Sequence, residues 1–142
     1  MGKVLAGAVE MKVESGQGFG MKLSHEPSGV TLLTDAPRDM GGEASSFSPT
    51  DLLAASLASC MVTTMALVAR REGVPWGPLH ARIEKRMNAV PRRVGEVVVE
   101  IRMPRELPEA QRAHLEAVAS DCPVAKSLHP DVQVSVRFLY GG

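Results

Sequence analysis

Between residues 52 and 69 the chain carries no charged side chain, and apolar or small residues fill nearly every position. Ser48 offers a cap, Pro49 suits the first helical position, and Asp51 stands three residues after Ser48 as in a capping box. Gly73 and Pro75 form a stop signal, so the pattern predicts one long helix running to about residue 72. A helix apolar on nearly all sides belongs at the buried centre of a larger assembly. Its apolar length sits at the lower edge for a membrane span. Ser56, Ser59, Thr63, Thr64 and the many alanines, without flanking anchors, favour the buried reading over membrane insertion.

Shorter patterns surround this helix. Residues 3–14, 18–24 and 29–34 read as strands separated by Ser15-Gly16 and Pro27-Ser28-Gly29. Residues 35–46 form a loop rich in glycine, serine and charge, a flexible frame for functional groups. Residues 79–87 and 94–103 alternate apolar with polar side chains and read as a hairpin joined across 88–93. Pro108 opens a helix to about residue 120, Cys122-Pro123 opens a short one to about residue 128, and 132–139 close with clean alternation. Strands, long helix, hairpin, helices, strand is an α+β order.

A chain of 142 residues fits one domain, 1–142, with enough interior to need no staples. Sixteen basic and sixteen acidic residues give formal neutrality, against the basic footprint of a nucleic-acid binder. Aromatic side chains are scarce, which also argues against base stacking. The start Met1-Gly2-Lys3-Val4 has no apolar segment with a cleavage site, so the expected location is cytoplasmic and reducing. Cysteines there are more often catalytic, redox-active or simply buried than permanent bridges.

The chain has two cysteines. Cys60 lies inside the long helix, and Cys122 at a helix start, where a helix dipole favours a thiolate. One buried thiol and one at a helix start suggest a reactive cysteine with a resolving partner. Spacing alone favours two inert buried thiols, a common fate of free cysteine.

The stretch Ser48-Pro49-Thr50-Asp51-Leu52-Leu53-Ala54-Ala55-Ser56-Leu57-Ala58-Ser59-Cys60 closely resembles the first-cysteine helix of the OsmC/Ohr family of osmotically inducible and organic hydroperoxide resistance proteins. Asp121-Cys122-Pro123-Val124-Ala125-Lys126-Ser127-Leu128 resembles that family's second-cysteine motif. The resemblance implies antiparallel sheets wrapped around long central helices in an intertwined homodimer. It also implies thiol-dependent reduction of organic hydroperoxides and hydrogen peroxide, with no cofactor and no metal. Cys60 then matches the peroxidatic position and Cys122 the resolving one, with a dithiol, lipoyl-type or other thiol as reductant.

One departure bears on activity. The family's best-known peroxidases carry a glutamate ten residues before the first cysteine, paired with a catalytic arginine; here Thr50 stands there. Asp51 lies about 180° around the helix from Cys60 and is already explained by the capping box. Glu43, on the Gly41-Gly42 loop, is the other carboxylate available. Arg38 is the only arginine before Arg70 and lies in the loop entering the Cys60 helix. A cation there would hold the thiolate and the developing peroxide charge; otherwise Arg38 is a solvated loop charge.

The remaining signals are weak. His25, His80, His114 and His129 lack metal-site spacing. Gly16, Gly18 and Gly20 lack the strand-to-helix context of a dinucleotide fingerprint. Arg82, Lys85, Arg86, Arg92 and Arg93 read as a solvated face of the hairpin. The sequence therefore favours a peroxidase acting through Cys60 and Cys122. The alternatives are a stress-associated binding protein on the same fold, favoured by Thr50, and a thiol-dependent sensor.

Overall fold

The computed structural model describes residues 7–141, and the first four positions of the expected 3–14 strand lie outside them. The chain separates into two compact units, and the division falls after Leu52.

In the first unit, β1 (Met11–Ser15), β2 (Met21–His25) and β3 (Thr31–Thr34) form an antiparallel meander. All three strands are shorter than the sequence indicates. Residues 7–10 are not strand, and Gly18 and Phe19 belong to the β1–β2 turn, where Gly18 takes a left-handed φ of 58°. Register places Val13, Leu23 and Leu32 in one row across the sheet, with Met11 and Met21 on the same face. Lys12, Glu14, Lys22 and Ser24 occupy the other face. This amphipathic sheet has no apolar core of its own: the buried residues of the described first unit are Thr34, Asp35 and Ser48.

The second unit carries the core. α1 (Pro49–Arg71) begins in the capping box read from the sequence. The Asp51 carboxylate accepts from the Ser48 N–H at 2.8 Å, and the Asp51 N–H donates to the Ser48 hydroxyl at 3.1 Å. α1 is long and apolar enough to cross a membrane by length and composition. It is nonetheless two-sided: Ala54, Leu57, Ala58, Met61, Met65 and Ala69 are buried, whereas Leu53 and Leu67 are exposed.

The buried stripe packs with Val94, Val97, Val99 and Ile101 of the second sheet and with Leu115 and Ala119 of α2 (Arg112–Ser120). Burial of each large aliphatic side chain stabilises the unit by roughly 1.5–3 kcal/mol. The sheet runs β4 (His80–Asn88), β5 (Arg93–Arg102), β6 (Gln133–Leu139). β4 and β5 pair antiparallel as the hairpin pattern implies, but β6 lies parallel to β5. The sheet is therefore mixed rather than antiparallel. A parallel neighbour requires a crossover, and α2 with the short α3 (Pro123–Ser127) supplies it. Helical turn begins at Glu109–Gln111 as a 3-10 segment before α2. Arg86 pairs on the exposed hairpin face with Glu84 and Glu96, as a solvated charge does, whereas Arg93 is half-buried, with its Nε buried and its guanidinium reaching Asp131 just before β6.

Candidate functional site

Cys60 lies four residues after Ser56 and three after Leu57, so it sits at the edge of the buried stripe of α1 and is half-buried. One turn further, the Thr64 hydroxyl donates to the Cys60 carbonyl at 2.7 Å. Its oxygen stands 4.0 Å from the Cys60 sulfur, where its lone pair faces the thiol. Thr64 was not a candidate from sequence, although its i+4 spacing from Cys60 is the signal that finds it.

Cys122 is fully buried within the same core. It caps α3, its sulfur accepting from the Ala125 N–H at 3.4 Å, with Pro123 at the first helical position. The crossover brings this sulfur beside Cys60, which acts on it as a hydrogen-bonding neighbour and through its charge. Both are free thiols.

The expectation that the helix start favours a Cys122 thiolate is corrected here. Burial pushes the thiol up, and this outweighs the opposing N–H groups of Ala125 and Val124; Cys60 pushes in the same direction as burial. A helix of five residues offers too little dipole to offset the loss of solvent. Cys122 is thus a protonated thiol at neutral pH, poised against a more accessible one.

Arg38 opens a 3-10 turn, Arg38–Met40, closed by Gly41 at a φ of 91°. It is exposed, and among the described residues no hydrogen bond or ion pair holds its guanidinium. Glu43 is exposed in the same loop. Thr50 stands in the first turn of α1, its hydroxyl 3.2 Å from that of Ser48, and Asp51 is engaged in the capping box. Arg38 and Glu43 belong to the first unit and the two thiols to the second. The loop from 35 to 46 is more ordered than its composition implies, because the buried Asp35 carboxylate gathers it.

A family model described as OsmC-like protein matches residues 42–137, a span that includes both helix-borne thiols. The chain belongs to the OsmC-like family. A crystal structure of a Psychrobacter arcticus 273-4 protein, described as an osmotic stress induced and detoxification response protein, superposes with a TM-score of 0.87 at 39% identity, covering 94% of this chain and 98% of that one. The organic hydroperoxide resistance protein OsmC of Legionella pneumophila gives 0.76 at 21% identity, covering 96% and 99%. OhrB of Bacillus subtilis, an organic hydroperoxide resistance protein, gives 0.65 at 15% identity, covering 92% and 97%. These last two likenesses are of fold. No curated protein matches the chain. Membership accounts for the α+β architecture read from sequence.

Proposed function

We propose that this OsmC-like chain is a cysteine-based peroxidase reducing organic hydroperoxides and hydrogen peroxide in a reducing cytoplasm. The Cys60 thiolate attacks one peroxide oxygen, the O–O bond breaks, and the other oxygen leaves with a proton as alcohol or water. Cys60 is then a sulfenic acid. The Cys122 thiol attacks its sulfur, water departs, and a Cys60–Cys122 disulfide forms. A dithiol reductant returns the pair to thiols by exchange. In this reading Arg38 is the cation that holds the thiolate and the developing peroxide charge; no carboxylate partner is assigned to it, since Asp51 is engaged in the capping box and Glu43 is exposed.

The observation carrying this reading is the adjacency of the two thiols, with Cys122 held protonated beside Cys60. A buried resolving thiol that keeps its proton leaves first attack to its neighbour. Mass spectrometry after one equivalent of peroxide tests it: the expected product has lost two hydrogens through a Cys60–Cys122 bridge. Unchanged thiols would support the second reading, a stress-associated binding protein with weak or no peroxidase activity, which Thr50 at the family glutamate position favours. Turnover measured across peroxides, with dithiol and monothiol reductants, then ranks substrates.

A further inference from the structure

Thr64 stands one turn after Cys60 on α1, half-buried, and the chemistry of the two thiols gives it no part so far. Its hydroxyl donates to the Cys60 carbonyl at 2.7 Å. By itself that bond is ordinary: Ser127 donates to the Pro123 carbonyl at 2.8 Å, and helix hydroxyls often bond back by one turn. The sulfur sets Thr64 apart. Its oxygen lies 4.0 Å from Cys60 Sγ, and with its one proton committed to the carbonyl it offers that sulfur a lone pair. Both residues belong to one continuous helix, where positions four apart are neighbours on the same face.

The gap suits an oxidised sulfur better than a reduced one. A thiol is a weak donor, and 4.0 Å is long for it. A sulfenic acid carries a true hydroxyl on sulfur. One oxygen bonded to Cys60 Sγ on the Thr64 side comes to about 2.7 Å from the Thr64 oxygen, the usual length of an O–H···O bond. An interaction that strengthens only after the first reaction acts on the step that follows it.

We propose that Thr64 receives the sulfenic O–H of oxidised Cys60 and holds that oxygen as the leaving group while Cys122 closes the disulfide. The proposal rests on the reading of Cys60 as the thiol that attacks peroxide. In this step the Cys122 sulfur forms the S–S bond and the Cys60 S–O bond breaks. The Cys122 proton passes to the departing oxygen, which leaves as water. Donation to Thr64 occupies the sulfenic proton and leaves the oxygen's lone pairs for the incoming one. The chain from sulfenic hydroxyl to Thr64 hydroxyl to Cys60 carbonyl polarises along its length and makes that oxygen more basic.

Thr64→Val keeps the branched shape and removes the acceptor; Thr64→Ser keeps the hydroxyl. Wild type and both variants, each also in a Cys122→Ser background, receive one equivalent of cumene hydroperoxide with dimedone, which caps sulfenic acids. Mass spectrometry then sorts Cys60 into dimedone adduct and Cys60–Cys122 disulfide. In Thr64→Val the ratio of adduct to disulfide is expected to rise about fivefold, the scale of one lost hydrogen bond, and in Thr64→Ser to stay within about twofold of wild type. A wild-type ratio in Thr64→Val overturns the proposal. Thr64→Ser matching Thr64→Val overturns it too, because the methyl group would then be the part that acts. Faster adduct formation by Thr64→Val in the Cys122→Ser background also overturns it, since no resolving step exists there and the variant would act on reagent access. Adduct without disulfide in wild type removes the proposal and leaves Cys60 as the attacking thiol. Neither product in wild type removes the peroxidase reading and the proposal with it. Should Thr64→Val fail to fold, Thr64→Ala deletes the same hydroxyl and is held to the same outcomes.

Discussion

Two opposing effects meet on the Cys122 sulfur, and on the proposed mechanism their balance decides which thiol attacks. The N–H groups at the start of α3 favour the thiolate; burial, foremost, and the neighbouring Cys60, through hydrogen bonding and then charge, favour the thiol. The sign follows: with its pKa raised, Cys122 holds its proton through neutral pH and ionises only above the ordinary range. In Cys60→Ser the thiolate absorbance of Cys122 should titrate above that of an ordinary exposed cysteine, because desolvation remains when Cys60 is gone. A midpoint at or below that of a free cysteine peptide would mean the helix start wins. If the proposed mechanism holds, the same balance predicts the roles in a single turnover. Cys60→Ser is expected to consume no peroxide, whereas Cys122→Ser consumes about one equivalent and drifts to irreversible acids; the reverse pattern exchanges the roles. For Arg38 the expected outcome of Arg38→Ala is at least about a tenfold slower oxidation of Cys60, equal to roughly 1.4 kcal/mol. Arg38→Lys should recover only part, since a point charge does not reproduce the guanidinium fork. Superimposable profiles of Cys60 alkylation and peroxide consumption would reduce Arg38 to a loop charge.

Elements differed in how openly they announced themselves. α1 was legible because its start and stop are local chemistry: the Ser48–Asp51 box forms as read, and the helix ends beside Gly73 at a φ of 67°. β6 was legible from its alternation, but its direction was not, since a period of two is the same whichever way the neighbour runs. The first three strands were overextended because their ends dissolve into exposed turns that no buried face disciplines. The 35–46 loop misled for a different reason. Glycine, serine and charge suggest mobility, yet one buried aspartate converts that composition into a fixed clasp, and nothing in residue spacing reveals which aspartate it is. The capping box gives a direct test: Asp51→Ala should cost about 1 kcal/mol of stability in chemical denaturation. Leu57→Ala, in the buried stripe, should cost about 2–5 kcal/mol. Similar small losses from both would place Leu57 at a site able to collapse.

On the scale of the whole molecule, exposed apolar surface is the feature without a partner in one chain. Met11 is 68% exposed and Val13 64%, on the apolar face of the first sheet, and Leu67 of α1 is 55% exposed. Surface of this kind marks an interaction site. We therefore expect a homodimer burying well over about 1,000 Å², the scale of obligate pairs. Light scattering at micromolar concentration should give twice the chain mass; a monomer would remove the dimer expectation. Val13→Lys and Leu67→Glu then separate which of the two apolar surfaces is used.

The parallel seam between β5 and β6 also sets a hazard in time. β4 closes one edge of β5 as soon as the hairpin turns, but the other edge waits until the crossover and residues 133–139 have been made. At roughly 5–20 residues per second that edge stands open for a few seconds on the ribosome. The exposed ribbon is Glu96-Val97-Val98-Val99-Glu100-Ile101, a β-rich run whose glutamates are its guard against pairing with a neighbouring nascent chain. In the finished fold the same two carboxylates bind Arg86, Ser135 and Arg137. Replacing Glu96 and Glu100 by glutamine should therefore lower the soluble yield during synthesis by more than it lowers the stability of the purified protein.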